Sequence, residues 1–224
     1  VYLSRLLLNP RSKAVQRDLA DPQDLHRTIM SAFPQSEEPG ESPRARFGVL
    51  HRLDLDRRQA RLILYVQSQV KPDWSALPPE YLLPVPDLDN PATKSVAEVY
   101  QTLKAGMVLS FRLKANPSRK IDTKTGPDGR RRHGRRVELA REEDQVQWLK
   151  RKGEQSGFKL LEVRVGGLAK ERSRTRRGPT PTLAGLLFEG RLQITDPELF
   201  RQALARGIGP GKAYGLGMLS LAPP

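Results

Sequence analysis

Gly207-Ile208-Gly209-Pro210-Gly211-Lys212-Ala213-Tyr214-Gly215-Leu216-Gly217-Met218 holds five glycines in twelve residues. Glycine reaches positive φ without a Cβ clash and lets another backbone come close. The stretch reads as a glycine loop with one cation, Lys212. It is set between a helix predicted over Pro197–Ala205 and a terminal strand predicted over Ala213–Leu221. Successive glycine amides in a turn form an anion-binding nest, so Gly209, Gly211 and Lys212 suit a phosphate. The same spacing also suits a tight helix-to-strand connection whose glycines serve packing alone. Lys212 is followed by Ala213 rather than Ser or Thr, which excludes a P-loop. A loop that follows a helix and precedes a strand is not a dinucleotide fingerprint.

Working outward, Asp196 is an N-cap for the helix before the loop. Upstream lie a strand over Met107–Ala115, a helix over Arg141–Gln155 with Val146 and Leu149 inward and Trp148 near its edge, and a strand over Phe158–Val165. A further strand over Leu183–Ile194 is expected to be interrupted at Gly190. In the first half, Val1–Leu8 is too continuously apolar at Leu6, Leu7 and Leu8 for a half-exposed edge and reads as a central strand. A polar loop runs to Ala20. Asp21-Pro22 then opens a helix, with Leu25, Ile29, Ala32 and Phe33 in one apolar stripe. Pro34 to Pro43 reads as a flexible link. Phe47–Leu55 and Ala60–Gln69 pair as strands around a short turn. Five prolines make 78–94 a stiff connector, and the domain boundary is placed there, giving units of 1–90 and 95–224. The order of elements fits an α+β fold of two tandem ferredoxin-like (RRM-like) domains.

The 224 residues carry a net charge of +14. Most of it is concentrated: Lys104 to Arg177 holds 22 Lys or Arg against 9 Asp or Glu, while residues 1–40 hold five of each sign. A basic block on an otherwise balanced chain is the footprint of a polyanion site; a solvated basic loop is the blander reading. Two loops carry it. One spans 119–136 and contains Arg119, Lys120, Arg130, Arg131 and Arg132. The other spans Lys170–Arg177, where Arg172, Arg174 and Arg176 alternate beside Arg177. In an extended hairpin that alternation puts the arginines on one face. Cysteine is absent, and His26, His51 and His133 have no zinc-ligand spacing, so neither thiol chemistry nor a metal site is expected. No apolar run reaches the ~20 residues of a membrane span, and no signal peptide is apparent, so a cytoplasmic protein is expected.

His26 borders the apolar stripe of its helix, near the N-terminus. That end disfavours imidazolium, so His26 is expected to be neutral and able to accept a proton. On residue type and place alone, a structural or surface histidine fits as well. His51 reads as structural.

Four collinear blocks resemble the CasE family of CRISPR repeat-processing endoribonucleases. They are Tyr2-Leu3-Ser4-Arg5 with Asp18-Leu19 and His26; Phe111-Arg112-Leu113-Lys114-Ala115-Asn116-Pro117; Phe188-Glu189-Gly190-Arg191-Leu192; and the C-terminal glycine loop. The resemblance implies the same tandem fold, with His26 at the position of the family's catalytic histidine. It also implies a basic hairpin that grips the repeat stem, a CRISPR repeat hairpin RNA as substrate, other Cascade subunits as partners, and no cofactor. Cleavage would be metal-independent: the 2′-hydroxyl attacks the adjacent phosphate, leaving a 2′,3′-cyclic phosphate and a 5′-hydroxyl. Arg27 and Lys212 are candidate stabilisers of the phosphate charge. One departure stands out. The family has a tyrosine three residues before the histidine, and this chain has Gln23, which hydrogen-bonds but supplies no proton of useful pKa. Tyr214 is one substitute; a tyrosine merely packed on the loop is the other reading. A non-catalytic hairpin-binding subunit of the same fold is the alternative function.

Overall fold

The structure, a computed structural model, describes residues 1–34, 42–121, 135–167 and 185–224. In chain order its elements are β1 (Tyr2–Leu8), α1 (Lys13–Ala20), α2 (Pro22–Met30), α3 (Pro43–Arg46), β2 (Leu50–Asp56), β3 (Arg61–Ser68), β4 (Ala92–Ser95) and α4 (Ala97–Gln101). There follow β5 (Val108–Ala115), β6 (Ser118–Ile121), β7 (Arg135–Glu138), α5 (Glu142–Gln155), β8 (Phe158–Gly167), β9 (Leu186–Ile194), α6 (Pro197–Arg206) and β10 (Leu219–Ala222). Among the described residues these build two four-stranded antiparallel sheets, ordered β2-β3-β1-β4 and β10-β5-β9-β8, and a two-stranded ribbon of β6 and β7. The protein is thus of mixed α and β structure.

Each sheet covers its own core. Alternation along β1 and β3 turns Leu6, Leu8, Leu64 and Val66 onto Val15 of α1 and Leu25 and Ile29 of α2, with Phe33, Trp74 and Tyr81 completing the layer. In the second half, Phe111, Leu113, Phe188 and Leu192 meet Trp148 and Leu149 of α5 and Phe200 and Leu204 of α6. The Asp-Pro starts act as expected. The Asp21 carboxylate accepts the Gln23 N–H at 2.9 Å, and that of Asp196 accepts Glu198 and Leu199 N–H at 2.9 and 3.0 Å.

Several expectations need correction. The segment before Ala20 is not a loop but α1; its inward face carries only Val15 and the buried Asp18, which accepts from Tyr81 Oη at 2.8 Å. A helix anchored by a buried carboxylate has no readable apolar stripe. The end of the proline-rich connector, Ala92–Ser95, pairs with β1 as the edge strand β4. Trp148 is core rather than edge, at 5 % exposure. Gly190 does not interrupt β9. Instead β8 bulges between Leu160 and Glu162, and the Glu162 carbonyl occupies the space a Cβ at Gly190 would need. The terminal strand is shorter than expected, Leu219–Ala222, because Lys212–Tyr214 forms a 3-10 turn. The 119–136 loop begins and ends as the β6-β7 ribbon, with Arg119 opposite Val137 and Lys120 opposite Arg136.

The two halves are joined by charge as well as by packing. Arg52 of β2, 3 % exposed, bonds Asp54 through Nε at 2.9 Å and reaches Ser220 Oγ of β10 at 2.6 Å. Asp54 also accepts from Arg112 of β5 at 3.3 Å, and Arg112 Nε donates to Glu189 of β9 at 2.6 Å. Gln67 of β3 donates to the Leu204 carbonyl at 2.6 Å, at the end of α6 where the glycine loop starts.

Candidate active site

The glycine loop is stitched at both ends. Ile208 N–H donates to Gly217 O at 2.8 Å, and Gly217 N–H donates to Lys114 O of β5 at 2.7 Å. Between them Gly211 and Gly215, both left-handed, bracket the Lys212–Tyr214 turn. The loop rests on two other elements, β2 and α5. A Cβ at Gly207 would stand 2.8 Å from Leu50 Cδ2, one at Gly209 would stand 3.0 Å from the Trp148 ring, and one at Gly215 would stand 3.3 Å from His51 Nε2. The packing role of the glycines is therefore real, and it brings the loop onto β2 and α5.

Helix α2 faces this loop. Leu25, Thr28 and Ile29 are buried, which leaves His26 half-buried at the border and Gln23, one turn earlier, exposed. Gln23 Nε2 donates to Tyr214 Oη at 3.4 Å. The tyrosine oxygen thus receives a proton donor from α2 and keeps its own O–H for another acceptor.

The His26 ring stacks on that of His51, with centroids 6.3 Å apart and planes at 22°. Burial first, and the charge of Arg44 second, lower the proton affinity of His26. The imidazole is neutral as the sequence suggests, but burial and a cation are the causes rather than the helix terminus. His51 is 1 % exposed. Burial, then the charges of His26, Lys114 and Arg44, push it down to about 3. His26 Nδ1 and both His51 nitrogens are buried without a hydrogen-bond partner among the described residues. The buried His51 ring thus forms the floor beneath the candidate base.

The His51 shift makes a prediction about stability. Its folded value lies below the ordinary 6.5, so beneath that pH the unfolded chain binds a proton that the native state refuses. Stability is full above about 6.5 and is lost as pH falls toward about 3, at about 1.4 kcal/mol per pH unit. Urea unfolding should show this acid loss, and His51→Leu should make it shallower. Equal slopes for the two proteins would refute the assignment.

Lys212, Gly209 and Gly211 line one side of an open cleft with Pro210, Ala213 and Tyr214; Arg44 of α3 lines the other. Burial, then Arg44 and Lys152, lower the proton affinity of Lys212. Arg27 stands apart: it is exposed and pairs with Asp24 on the same helix. Arg119 and Lys120 lie exposed on β6. Arg130, Arg131, Arg132, Arg172, Arg174, Arg176 and Arg177 lie outside the described residues. The residue that sequence reasoning missed is Arg44. It sits in a four-residue helix just after the proline-bounded link, where no periodicity marks it. Among the described residues no three His, Cys, Asp or Glu side chains are grouped to hold a metal ion, and no helix is long and apolar enough to cross a membrane.

Two antiparallel sheets meeting beside a neutral-biased histidine, under a cationic glycine loop, define a mixed α/β protein with a cation-lined cleft at the junction of its halves. The family model described as CRISPR associated protein matches residues 1–223, and the chain belongs to that family. It is 35% identical over 234 aligned residues, the whole of both chains, to the CRISPR-associated endoribonuclease Cse3 of Thermus thermophilus. It is 34% identical over 145 residues, 59% of this chain and 70% of the relative, to the CRISPR system Cascade subunit CasE of Escherichia coli. Among solved structures, Thermus thermophilus Cse3 bound to an RNA representing a pre-cleavage complex superposes with a TM-score of 0.76 at 38% identity, covering 99% of this chain and 98% of that one. Escherichia coli Cas6e superposes with a TM-score of 0.70 at 25% identity over the full length of both.

Proposed function

We propose that this protein is a CRISPR endoribonuclease that cuts the hairpin of a CRISPR repeat transcript at the junction of its two halves. The observation that carries the reading is His26, neutral and facing the glycine loop, in a chain that matches end to end an endoribonuclease solved with a pre-cleavage RNA. In this reading His26 takes the proton of the 2′-hydroxyl as its oxygen bonds to the adjacent phosphorus. The P–O5′ bond breaks, and the departing O5′ takes up a proton to become the 5′-hydroxyl. The product keeps the phosphate as a 2′,3′-cyclic ester. The nucleophile belongs to the substrate, so no metal is required to generate it. Lys212 and the loop amides stabilise the charge that grows on the phosphorane, and Arg27 binds the flanking backbone. Much of the rate comes from holding the 2′-oxygen in line with the leaving group. Arg119 and Lys120, with the arginines of the two basic segments, grip the stem.

The strand orders β2-β3-β1-β4 and β10-β5-β9-β8, with helices between the first and second strands of each sheet, support two tandem ferredoxin-like (RRM-like) units. We divide them near the proposed 1–90 and 95–224 limits, with β4 assigned to the first. The product stays bound, the protein acts as a subunit of Cascade, and it works in the cytoplasm.

The test is cleavage of a repeat hairpin RNA in EDTA, with analysis of the product ends. A 2′,3′-cyclic phosphate and a 5′-hydroxyl are expected, and a 2′-deoxy nucleotide at the cut should abolish cleavage without preventing binding. Loss of activity in EDTA, or cutting of the 2′-deoxy strand, would sink the mechanism.

A further inference from the structure

The cleft beside the glycine loop measures about 340 Å³ and is lined by Arg44, Gly209, Pro210, Gly211, Lys212, Ala213 and Tyr214. Among the described residues no carboxylate lines it. Several guanidinium groups elsewhere are ion-paired, among them Arg17 with Asp18, Arg52 with Asp54, Arg112 with Glu189, Arg191 with Glu162 and Arg201 with Glu198. Neither the Arg44 guanidinium nor the Lys212 ammonium has a hydrogen-bond or ion-pair partner among the described residues, although both residues are partly buried. Two like charges across one cleft repel each other, and an anion between them removes that cost.

A third cation extends the pair. Lys152 lies one helical turn beyond Trp148 on the same face of α5, and the ring of Trp148 carries Gly209. The charge of Arg44 acts on His26, His51 and Lys212, whereas that of Lys152 acts on Lys212 and is not among those acting on His26. Lys152 therefore stands on the α5 side of the loop and Arg44 on the α3 side.

We propose that Arg44 binds, together with Lys212, the substrate phosphate that reacts at His26, and that Lys152 continues from them to the next phosphate of the same RNA strand. This assignment rests on the endoribonuclease reading. A guanidinium presents a planar fork that matches two non-bridging phosphate oxygens. Charge on those oxygens rises as the phosphorane forms, so Arg44 binds the transition state more tightly than the ground state. The same positive charge favours the neutral form of His26, the form that accepts the 2′ proton. The groups around His26 are His51 on β2 with Lys114 behind it, Lys212 and Tyr214 on the loop, Gln23, Asp24 and Arg27 on its own helix, and Arg44 on α3. Of these charges Arg44 is the one that lowers the proton affinity of His26, after burial.

The experiment compares wild type, Arg44→Gln, Arg44→Lys and Lys152→Gln on a repeat hairpin RNA. Single-turnover cleavage is followed against pH, and binding of the 2′-deoxy hairpin is followed against salt. Arg44→Gln should cut about 10²-fold more slowly. The midpoint of its pH–rate rise should move to higher pH, because His26 regains proton affinity. Its binding should show a salt slope smaller by about 0.7, since one phosphate is no longer neutralised by the protein. Arg44→Lys should restore the midpoint and the slope but only part of the rate. Lys152→Gln should lose a similar increment of slope, with a smaller loss of rate than Arg44→Gln. Wild-type rate, midpoint and slope in Arg44→Gln, with an unchanged thermal melt, would overturn the proposal. Should wild type bind the hairpin without cutting it, the endoribonuclease reading fails, and the salt slope still decides whether Arg44 and Lys152 hold phosphates.

Discussion

His26→Ala should slow single-turnover cleavage of a repeat hairpin RNA by about 10²–10⁴-fold, the range that one acid–base group supplies. Affinity for the 2′-deoxy hairpin should stay within a few-fold of wild type, since the imidazole is neutral and contributes no charge to binding. In the wild-type protein the rate should rise with pH to a plateau whose midpoint lies below the ordinary imidazole value, because burial and Arg44 both lower the proton affinity of His26. A plateau reached only above that value would mean that the group titrating is not His26. Unchanged cleavage in His26→Ala would remove it from the chemistry. Hairpin binding without cleavage in the wild type would instead favour the non-catalytic subunit of the same fold.

Asp54→Ala should be the most destabilising of the charge deletions. Asp54 accepts the Nε of Arg52 at 2.9 Å and Nη1 of Arg112 at 3.3 Å, so its loss strands a guanidinium that is 3 % exposed. Removing one partner of a buried pair costs about 3–5 kcal/mol, whereas replacing both by apolar residues costs far less. Ser220 and the face of Tyr65, 5.5 Å from the Arg52 guanidinium carbon, remain as partners and keep the cost near the lower figure. A thermal melt lowered by roughly 6–12 °C is expected for a chain of this length. The double variant Arg52→Met with Asp54→Leu should recover much of that loss. If Asp54→Ala melts with wild type, the clamp between the sheets contributes no stability. The consequence for the site is direct: Arg52 follows His51 in β2 and is bonded to β10, so the clamp fixes the floor beneath His26 relative to the strand that leaves the glycine loop.

Local rules were legible in the chain wherever the physics is local. Asp21-Pro22 and Asp196-Pro197 announce two helices because the cap, the ring and the first free N–H groups lie within three residues of one another. The β1 strand follows from its continuous apolar run at Leu6, Leu7 and Leu8, and the glycine loop follows from its spacing. The concentration of basic charge and the four family blocks were equally visible. What failed locally has a physical reason in each case. Helix α1 is anchored by a buried Asp18–Tyr81 bond spanning 63 residues, so it lacks an apolar stripe. Trp148 is drawn inward because Phe188 and the glycine loop complete its pocket.

The sequence by itself determined most of the elements, the concentration of basic charge and the candidacy of His26, Lys212, Gly209 and Gly211. Only the tertiary structure decided what surrounds them. It put His51 under His26, Gln23 against Tyr214 across 191 residues, and Arg44 opposite Lys212. The same folding turned Arg27 to Asp24 and set Arg52 between the sheets. A periodic pattern specifies which face of an element is buried, but not which distant element covers it. Proton affinity at a junction depends on that covering, through the water it removes and the charges it brings close.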